Sequence, residues 1–262
     1  MAEASLIQNA TKLLAESRAA VAFTGAGIST PSGIPDFRSP KTGLWACLEA
    51  AGADETQAGT IQAFGRDPRT FYERMKPLFQ DMITAEPNAA HYALAELEAR
   101  GIIQAVITQN ADMLHQRAGS KNVIEVHGSL AEATCIQCYN VKPFRPLLDQ
   151  FLSDGIVLRC KECGGAMKPN VILIGEQLPV RAMLAAQQAI RHTDLLLVAG
   201  TSLAGGPSSA LIDNAYLRGL KLVIVNQTPT LLDQVADVII HADVATVLPA
   251  IVKAFQGIQR RQ

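Results

Sequence analysis

The stretch from residue 20 to residue 38 reads AVAFTGAGISTPSGIPDFR, and it decides the fold of this chain. It opens with a short apolar run, Ala20–Thr24, of the kind found in strands buried on both faces of a parallel sheet. The turn Gly25-Ala26-Gly27 follows directly, and its backbone N–H groups can approach a phosphate closely. A plain tight turn is the alternative, because Thr30 stands where the dinucleotide fingerprint has its third glycine.

The residues after this turn are unusual for a cofactor loop. Pro31, Gly33 and Pro35 follow in quick succession, and this spacing excludes an ordinary long helix. The loop then runs into Asp36-Phe37-Arg38. We therefore expect an irregular loop at the carboxyl end of the first strand, where a ligand would bind.

Further apolar runs alternate with amphipathic helical patterns along most of the chain. This alternation predicts an α/β fold with a doubly wound, mostly parallel Rossmann-like sheet. The candidate strands after the first are Ile102–Thr108, Val123–Val126, Val171–Ile174, Leu195–Ala199, Leu222–Val225 and Val238–Ile240.

Two regions break the alternation and are predicted to form a smaller domain beside the sheet. Residues 39–85 carry glycine, proline and scattered aromatic residues without a strand pattern, and residues 130–168 contain four of the five cysteines. We interpret the first as a helical module and the second as a zinc-binding module. The large nucleotide-binding domain is then formed by residues 1–38, 86–129 and 169–262.

Polar motifs follow the carboxyl ends of the candidate strands. Ligands of open α/β sheets bind in the crevice at this edge, and core packing does not explain so many polar loops there. Besides the first turn, the motifs are Thr108-Gln109-Asn110-Ala111-Asp112, His127-Gly128-Ser129, Gly175-Glu176, Gly200-Thr201-Ser202-Leu203 and Asn226-Gln227.

Four cysteines form two pairs, Cys135/Cys138 and Cys160/Cys163, with 21 residues between the pairs. Each pair can hold one ion from a tight knuckle, and the spacing suits a closed tetrahedral zinc site. Buried, reduced cysteines are the alternative. Because four sulfur ligands leave no open position for water, we expect a structural metal ion and not a catalytic one.

Among the five histidines, His127 differs from the others because it ends a candidate strand and precedes a glycine at the motif edge. An imidazole with a pKa near its unperturbed value of ~6.5 suits a general base at physiological pH. A surface or core histidine is the alternative for a single residue of this kind.

Composition excludes several other classes of function. The formal net charge is -1, whereas a nucleic-acid-binding domain usually has a basic excess. No apolar run reaches the length of a membrane span, and the first residues lack the basic start and apolar stretch of a secretory signal. We therefore expect a cytoplasmic protein without direct nucleic-acid or membrane partners.

Taken together, the motifs resemble the sirtuin family of NAD-dependent protein-lysine deacylases. The resemblance lies in the order of the whole set, from about residue 20 to about residue 230. The matching motifs are GAGIS at 25–29, GIPDFR at 33–38, TQNAD at 108–112, HG at 127–128, the two CxxC pairs, GTSL at 200–203 and NQTPT at 226–230.

The resemblance implies that NAD is a consumed co-substrate and that an acyl-lysine peptide is the second substrate. The acyl oxygen would attack the nicotinamide ribose as nicotinamide leaves, and His127 would be the base acting on a ribose hydroxyl. The products would be free lysine, nicotinamide and 2′-O-acyl-ADP-ribose. By family position, Asn110 and Asp112 join His127 as catalytic residues. The NAD contacts would be Gly25, Ala26, Gly27, Asp36, Phe37, Arg38, Gln109, Asn110, Asp112, Gly200, Thr201, Ser202, Asn226 and Val244.

The resemblance also suggests an acyl-lysine channel. Ala111, Ile174 and Gly205 replace larger or aromatic residues of the family pattern near this channel. Relatives that prefer acidic acyl groups resemble one another in a Tyr and an Arg three residues apart; here Tyr72 is followed at that spacing by Met75. We therefore expect acetyl and longer apolar acyl groups. The predicted channel residues are Tyr72, Met75, Val171, Ile174, Gly175, Glu176 and Gly205.

Two other functions stay open at this point. One is the same bond cleavage used for NAD hydrolysis or ADP-ribosyl transfer, which an enlarged pocket that admits water would favour. The other is a non-catalytic NAD sensor whose zinc module binds a partner. The presence of Asn110, Asp112 and His127 together argues against the sensor, because binding alone does not require all three.

Overall fold

The computed structural model describes residues 2–36, 39, 43–44, 46, 49, 59–203, 210–212 and 219–259. The predicted site residues Phe37, Arg38 and Gly205 lie outside this part of the chain. Within it, no helix is long and apolar enough to cross a membrane.

A six-stranded parallel sheet forms the large part of the molecule, with the strand order β3-β2-β1-β7-β8-β9. The order reverses beside β1, between its neighbours β2 and β7, so this is a doubly wound sheet with its switch point there. The predicted fold class is confirmed. The strands of this sheet are β1 (Ala20–Thr24), β2 (Ile103–Thr108), β3 (Val123–Glu125), β7 (Leu195–Ala199), β8 (Lys221–Val225) and β9 (Val238–Ile240).

Helices cover both faces of this sheet. Ala20 and Ala22 of β1 pack in one core cluster with α1 (Ala2–Glu16), α4 (Ala89–Ala99) and α8 (Val244–Gln259). The alternate residues Val21 and Phe23 pack on the opposite face with α7 (Val180–Arg191). Burial on both faces explains why the strand sequences are apolar throughout and do not alternate with polar residues.

A second, smaller sheet holds Cys135 at the end of its central strand. It is antiparallel and has three strands in the order β5-β4-β6. One core cluster of aromatic and aliphatic side chains joins it to the nearby helices. Its elements are α2 (Ile61–Arg66), α3 (Pro68–Thr84), β4 (Gly128–Cys135), β5 (Val141–Pro143), α6 (Phe144–Asp154) and β6 (Met167–Val171); the short helix α5 (Leu114–Arg117) follows β2.

The prediction of a strand at Val171–Ile174 was wrong. The strand there is β6, which ends at Val171 and pairs antiparallel with β4 of the small sheet. Residues 172–174 instead connect the two parts of the molecule, and Ile174 is 45% exposed. The run Val-Ile-Leu-Ile looked like a buried strand because a short apolar run carries no periodicity that separates a strand from a connecting segment.

Candidate nucleotide and acyl-lysine site

Two glycine-containing loops meet at the carboxyl edge of the large sheet. The backbone N–H of Gly27, after β1, donates to the carbonyl O of Gly200, after β7, across 2.8 Å. A Cβ on Gly200 would lie 2.3 Å from the backbone N of Ile28, and one on Gly27 would lie 2.9 Å from Gly200 O. Glycine is required at both positions because the two backbones touch. The GAG turn is therefore more than a tight connection.

A buried polar pocket lies beside these loops and is built from the ends of β1 and β2. The Ser29 hydroxyl donates to Asp112 Oδ2 across 2.6 Å. The Asn110 side-chain amide donates to Ser29 Oγ at 3.0 Å and to Gly25 O at 3.2 Å. Leu114 N donates to the other Asp112 oxygen at 2.9 Å. This network fixes the side chains of Asn110 and Asp112, both of which are less than a tenth exposed.

Burial sets the electrostatics of this pocket. Desolvation raises the pKa of Asp112 above its usual value, although the Ser29 hydroxyl and the Leu114 N–H oppose that shift. Two buried histidines lie nearby: the rings of His91 and His115 meet edge to face, with 4.9 Å between centroids and 64° between planes. Burial lowers their pKa values to about 4 and about 3. Both imidazoles are therefore neutral at physiological pH, and neither contributes a positive charge to the surroundings of Asp112.

His127 follows β3 at the same edge and is half-buried. Its carbonyl O accepts a hydrogen bond of 2.8 Å from Ile172 N, which ties the histidine backbone to the segment after β6. The structure therefore brings His127 to the side of the crevice where the large and small sheets meet, with the Asn110 and Asp112 pocket after the neighbouring strand β2.

The remaining predicted NAD residues lie in different environments. Thr201 Oγ1 donates to Gln109 Oε1 at 3.1 Å, which joins the loops after β7 and β2. Asn226 is buried after β8. Asp36 accepts hydrogen bonds from the Ser39 backbone and hydroxyl. Val244 is the exception: it begins α8 and is 3% exposed within the core cluster beneath the sheet.

The four predicted metal ligands form one cluster. The Sγ atoms of Cys135, Cys138, Cys160 and Cys163 all lie within 4.8 Å of one another. Cys135 Sγ is 3.4 Å from Cys163 Sγ, and Cys138 Sγ is 3.6 Å from Cys160 Sγ. Tetrahedral zinc with Zn–S bonds of ~2.3 Å separates its sulfur ligands by about 3.8 Å. The donor set and spacing fit one zinc ion, which confirms the prediction that these cysteines are positioned to bind it.

The predicted channel residues fall into two groups. Tyr72 is fully buried in the core of the small part, where its hydroxyl donates to Met167 O at 2.6 Å, and Met75 is 8% exposed in the same cluster. Ile174 and Gly175 are exposed, while Val171 and Glu176 are half-buried. The second group therefore offers accessible surface, whereas the first lies in the core of the small part.

Two features of the site were missed at the level of sequence. Ser29 belongs to the turn motif GAGIS, and its hydroxyl links Asn110 to Asp112. The signal in the sequence is a hydroxyl residue at the end of a glycine turn. Lys168 forms a buried ion pair of 3.1 Å with Glu176. Nothing in the spacing of these two residues indicates that pair.

The fold and site together define a nucleotide-binding α/β protein with a structural zinc module and a buried polar pocket at the switch point. A family model described as "Sir2 family" matches residues 25–207. The "NAD-dependent protein deacylase 2" of Archaeoglobus fulgidus is 44% identical over 248 residues, which cover 94% of this chain and 95% of that protein. The chain belongs to the Sir2 family, as the sequence motifs predicted.

Solved structures agree with this assignment. A chain described under "Structural Basis for the Mechanism and Regulation of Sir2 Enzymes" aligns with a TM-score of 0.87 and 42% identity, covering 97% of this chain and 99% of that one. A Sir2 variant solved with a deacetylated p53 peptide and 3′-O-acetyl ADP-ribose aligns with a TM-score of 0.86 and 38% identity, covering 95% of this chain and 98% of the other.

Proposed function

We propose that this chain removes acyl groups from protein lysine in an NAD-dependent reaction that yields nicotinamide and 2′-O-acyl-ADP-ribose. The observation that carries the proposal is the Ser29–Asp112–Asn110 network, buried at the edge of a Sir2-type sheet with His127 after the neighbouring strand. The product-like ligand of the related Sir2 variant supports the same reaction.

NAD, when bound, supplies a ribose carbon that can take up the acyl oxygen and a nicotinamide leaving group. The buried amide and carboxylate of Asn110 and Asp112 are suited to hold the ribose and the nicotinamide amide. Because both side chains are already fixed by Ser29 and Leu114, binding costs little further side-chain entropy.

His127 is the general base of this proposal. It would accept a proton from a ribose hydroxyl as that hydroxyl oxygen bonds to the acyl carbon. The carbon–nitrogen bond to lysine then breaks, lysine leaves as the free amine, and water supplies the oxygen needed to complete the acyl ester. The half-buried His127 is bonded through its backbone carbonyl to Ile172 N, two residues before the accessible Ile174, and the acyl-lysine peptide would lie along this segment. Supporting roles at the NAD site fall to Gly25–Gly27, Gln109, Gly200–Ser202 and Asn226.

The acyl preference is part of the same proposal. The Tyr72 hydroxyl donates a hydrogen bond to Met167 O, and Met75 offers an apolar, adaptable side chain. Neither gives a charged partner to an acidic acyl group, which a buried carboxylate requires. We therefore propose acetyl and longer apolar acyl groups as substrates. We also propose that the large domain comprises residues 1–38, 86–129 and 169–262, that residues 39–85 and 130–168 form the small one, and that the protein is cytoplasmic.

The decisive experiment is product analysis by mass spectrometry with NAD and an acetyl-lysine peptide. Equimolar nicotinamide and acetyl-ADP-ribose support the proposal. ADP-ribose formed without any dependence on peptide would identify an NAD hydrolase, and ADP-ribose attached to protein would identify a transferase. NAD that binds but is not consumed would identify a sensor.

A further inference from the structure

Lys168 has an ammonium group inside the protein with all three of its hydrogens used. The group donates to Pro169 O at 2.9 Å and to Val171 O at 2.8 Å, and it lies 3.1 Å from Glu176 Oε2. A lysine ammonium has three donors, so none is left for water. This side chain acts as an internal cation around which the chain folds back.

Glu176 closes the other side of the same turn. Its Oε2 also accepts from Leu173 N at 2.7 Å, and its own backbone N–H donates to Leu173 O at 3.0 Å. The ion pair therefore fixes both ends of the segment between Val171 and Glu176. Charge-assisted bonds of this kind are about twice as strong as neutral ones.

This segment, residues 171–176, lies between His127 and the helical module. Ile172 N donates to His127 O at 2.8 Å, and Ile174 N donates to Gly59 O at 2.8 Å. Beside it, a Cβ on Gly128 would lie 1.9 Å from Asn170 O, so the two backbones are in direct contact. Any shift of this segment changes the distance between the exposed residues 174–175 and the catalytic histidine.

On one side the segment packs through Leu173 in the core of the small part. A cavity of about 800 Å³ runs along it, lined among others by Glu125, Gly128, Lys168, Asn170, Ile172 and Glu176. The Lys168–Glu176 pair therefore restrains the segment on the side that borders the cavity, in addition to the backbone hydrogen bonds of Ile172 and Ile174.

We infer that Lys168 is a positioning residue for the acyl-lysine peptide, acting through Glu176 and the carbonyls of Pro169 and Val171. This inference rests on the proposed deacylase function. Lys168 touches neither the reacting atoms nor NAD in this scheme. Its loss should disturb peptide alignment and leave the nucleotide half of the site intact.

The test is a comparison of Lys168→Met with the parent protein. Methionine keeps the apolar stem and removes all three donors. We expect the KM for an acetyl-lysine peptide to rise by about tenfold or more, because small misplacements near the reacting centre cost up to about 100-fold. The KM for NAD and the zinc content should stay within about twofold of the parent values. Lys221→Met is the matched control, since Lys221 pairs with Asp237 at the surface.

A second variant and a second measurement cover the other outcomes. Loss of one partner of a buried ion pair can unfold a protein; in that case Lys168→Gln, which keeps donors without charge, should show a smaller shift in the same direction. Hydrogen exchange at Ile172 and Ile174 should accelerate in either variant, and this readout needs no activity. An active parent whose folded variants keep the peptide KM and the exchange rates would overturn the inference. An inactive parent with accelerated exchange in the variants would instead count against the deacylase function alone.

Discussion

Gly27 and Gly200 touch backbone to backbone, with Gly27 N donating to Gly200 O across 2.8 Å. The residues come from loops after two adjacent strands of the large sheet, β1 and β7. Their contact holds the GAG turn at the switch point, where the nucleotide would bind.

Gly200→Ala should therefore abolish NAD binding as well as lower stability. The new Cβ would meet Ile28 N at 2.3 Å, and the residue has a φ of +65°. Gly219→Ala is the matched control, because Gly219 has a φ of +78° but nothing within 4 Å of its Cβ position. Strain alone should cost the control about 1–2 kcal/mol without affecting NAD binding, measured by calorimetry. Equal NAD affinity in both variants would contradict the role of the contact.

His127→Ala should bind NAD as the parent does and deacylate far more slowly. Removal of a general base typically costs ~10²–10⁴-fold in rate. Single-turnover product formation together with NAD titration separates the two effects. His192→Ala, at the exposed end of α7, should leave both quantities unchanged. A His127→Ala variant that keeps most of its rate would remove this residue from the mechanism.

Cys135→Ala and Cys163→Ala should each release zinc and unfold the small part of the molecule. Structural zinc contributes ~10–16 kcal/mol in zinc-finger peptides, which is comparable to the whole stability of a typical domain, ~5–15 kcal/mol. Metal analysis should give about one zinc per parent chain, and the thermal transition of the variants should fall steeply. Cys47→Ala serves as the thiol control, because Cys47 is the fifth cysteine and stands apart from both pairs in the sequence. Full stability in metal-free parent protein would disprove a structural site.

Stability should fall as the pH drops below about 6.5, because two histidines are buried in their neutral form. Burial lowers the pKa of His91 to about 4 and that of His115 to about 3. The unfolded chain, with histidine pKa values of ~6.5, binds protons in this window that the folded chain does not. Protonation of each histidine in the unfolded chain should thus lower the free energy of unfolding by about 2 kcal/mol between pH 7 and pH 5.

Asp112 and Glu125 act in the opposite sense, because burial raises their pKa values. The histidine contribution is therefore isolated by comparing the parent with His115→Leu. Urea unfolding at several pH values should give a shallower dependence for the variant between pH 7 and pH 5. Parallel curves would mean that His115 is protonated in the folded state or does not titrate differently on unfolding.

Acetyl and butyryl lysine should be better substrates than succinyl lysine. The Tyr72 hydroxyl already donates to Met167 O, so an acidic acyl group would have to break a buried hydrogen bond without gaining a cation from Met75. Initial rates on one peptide carrying acetyl, butyryl, myristoyl or succinyl lysine check this expectation. Preference for the succinyl peptide would mean that an arginine such as Arg74 or Arg69 reaches the channel.

The sequence predicted the parts of the structure that depend on local patterns. Burial on both faces makes the large-sheet strands uniformly apolar, and the spacing of the paired cysteines predicts that all four form one cluster. The run Val171–Ile174 shows the limit, because its apolar residues fill a connection and not a sheet. The Ser29–Asp112 bond and the Lys168–Glu176 pair join side chains across turns and loops, and such contacts depend on backbone geometry that no spacing rule encodes.

The placement of β1 between β2 and β7 has a consequence for synthesis of the chain. Ala20 of β1 pairs with Leu195 of β7. The pairing of β1 with β7 therefore cannot form until residues far along the chain have been synthesised. At ~5–20 residues per second, a ribosome needs roughly 10–35 s to travel that far. During that interval one long edge of β1 has no partner strand, which is a template for wrong pairing. The proposed crevice for the nucleotide would form only when β7 emerges, so we expect that a nascent chain cut short before that point does not bind NAD.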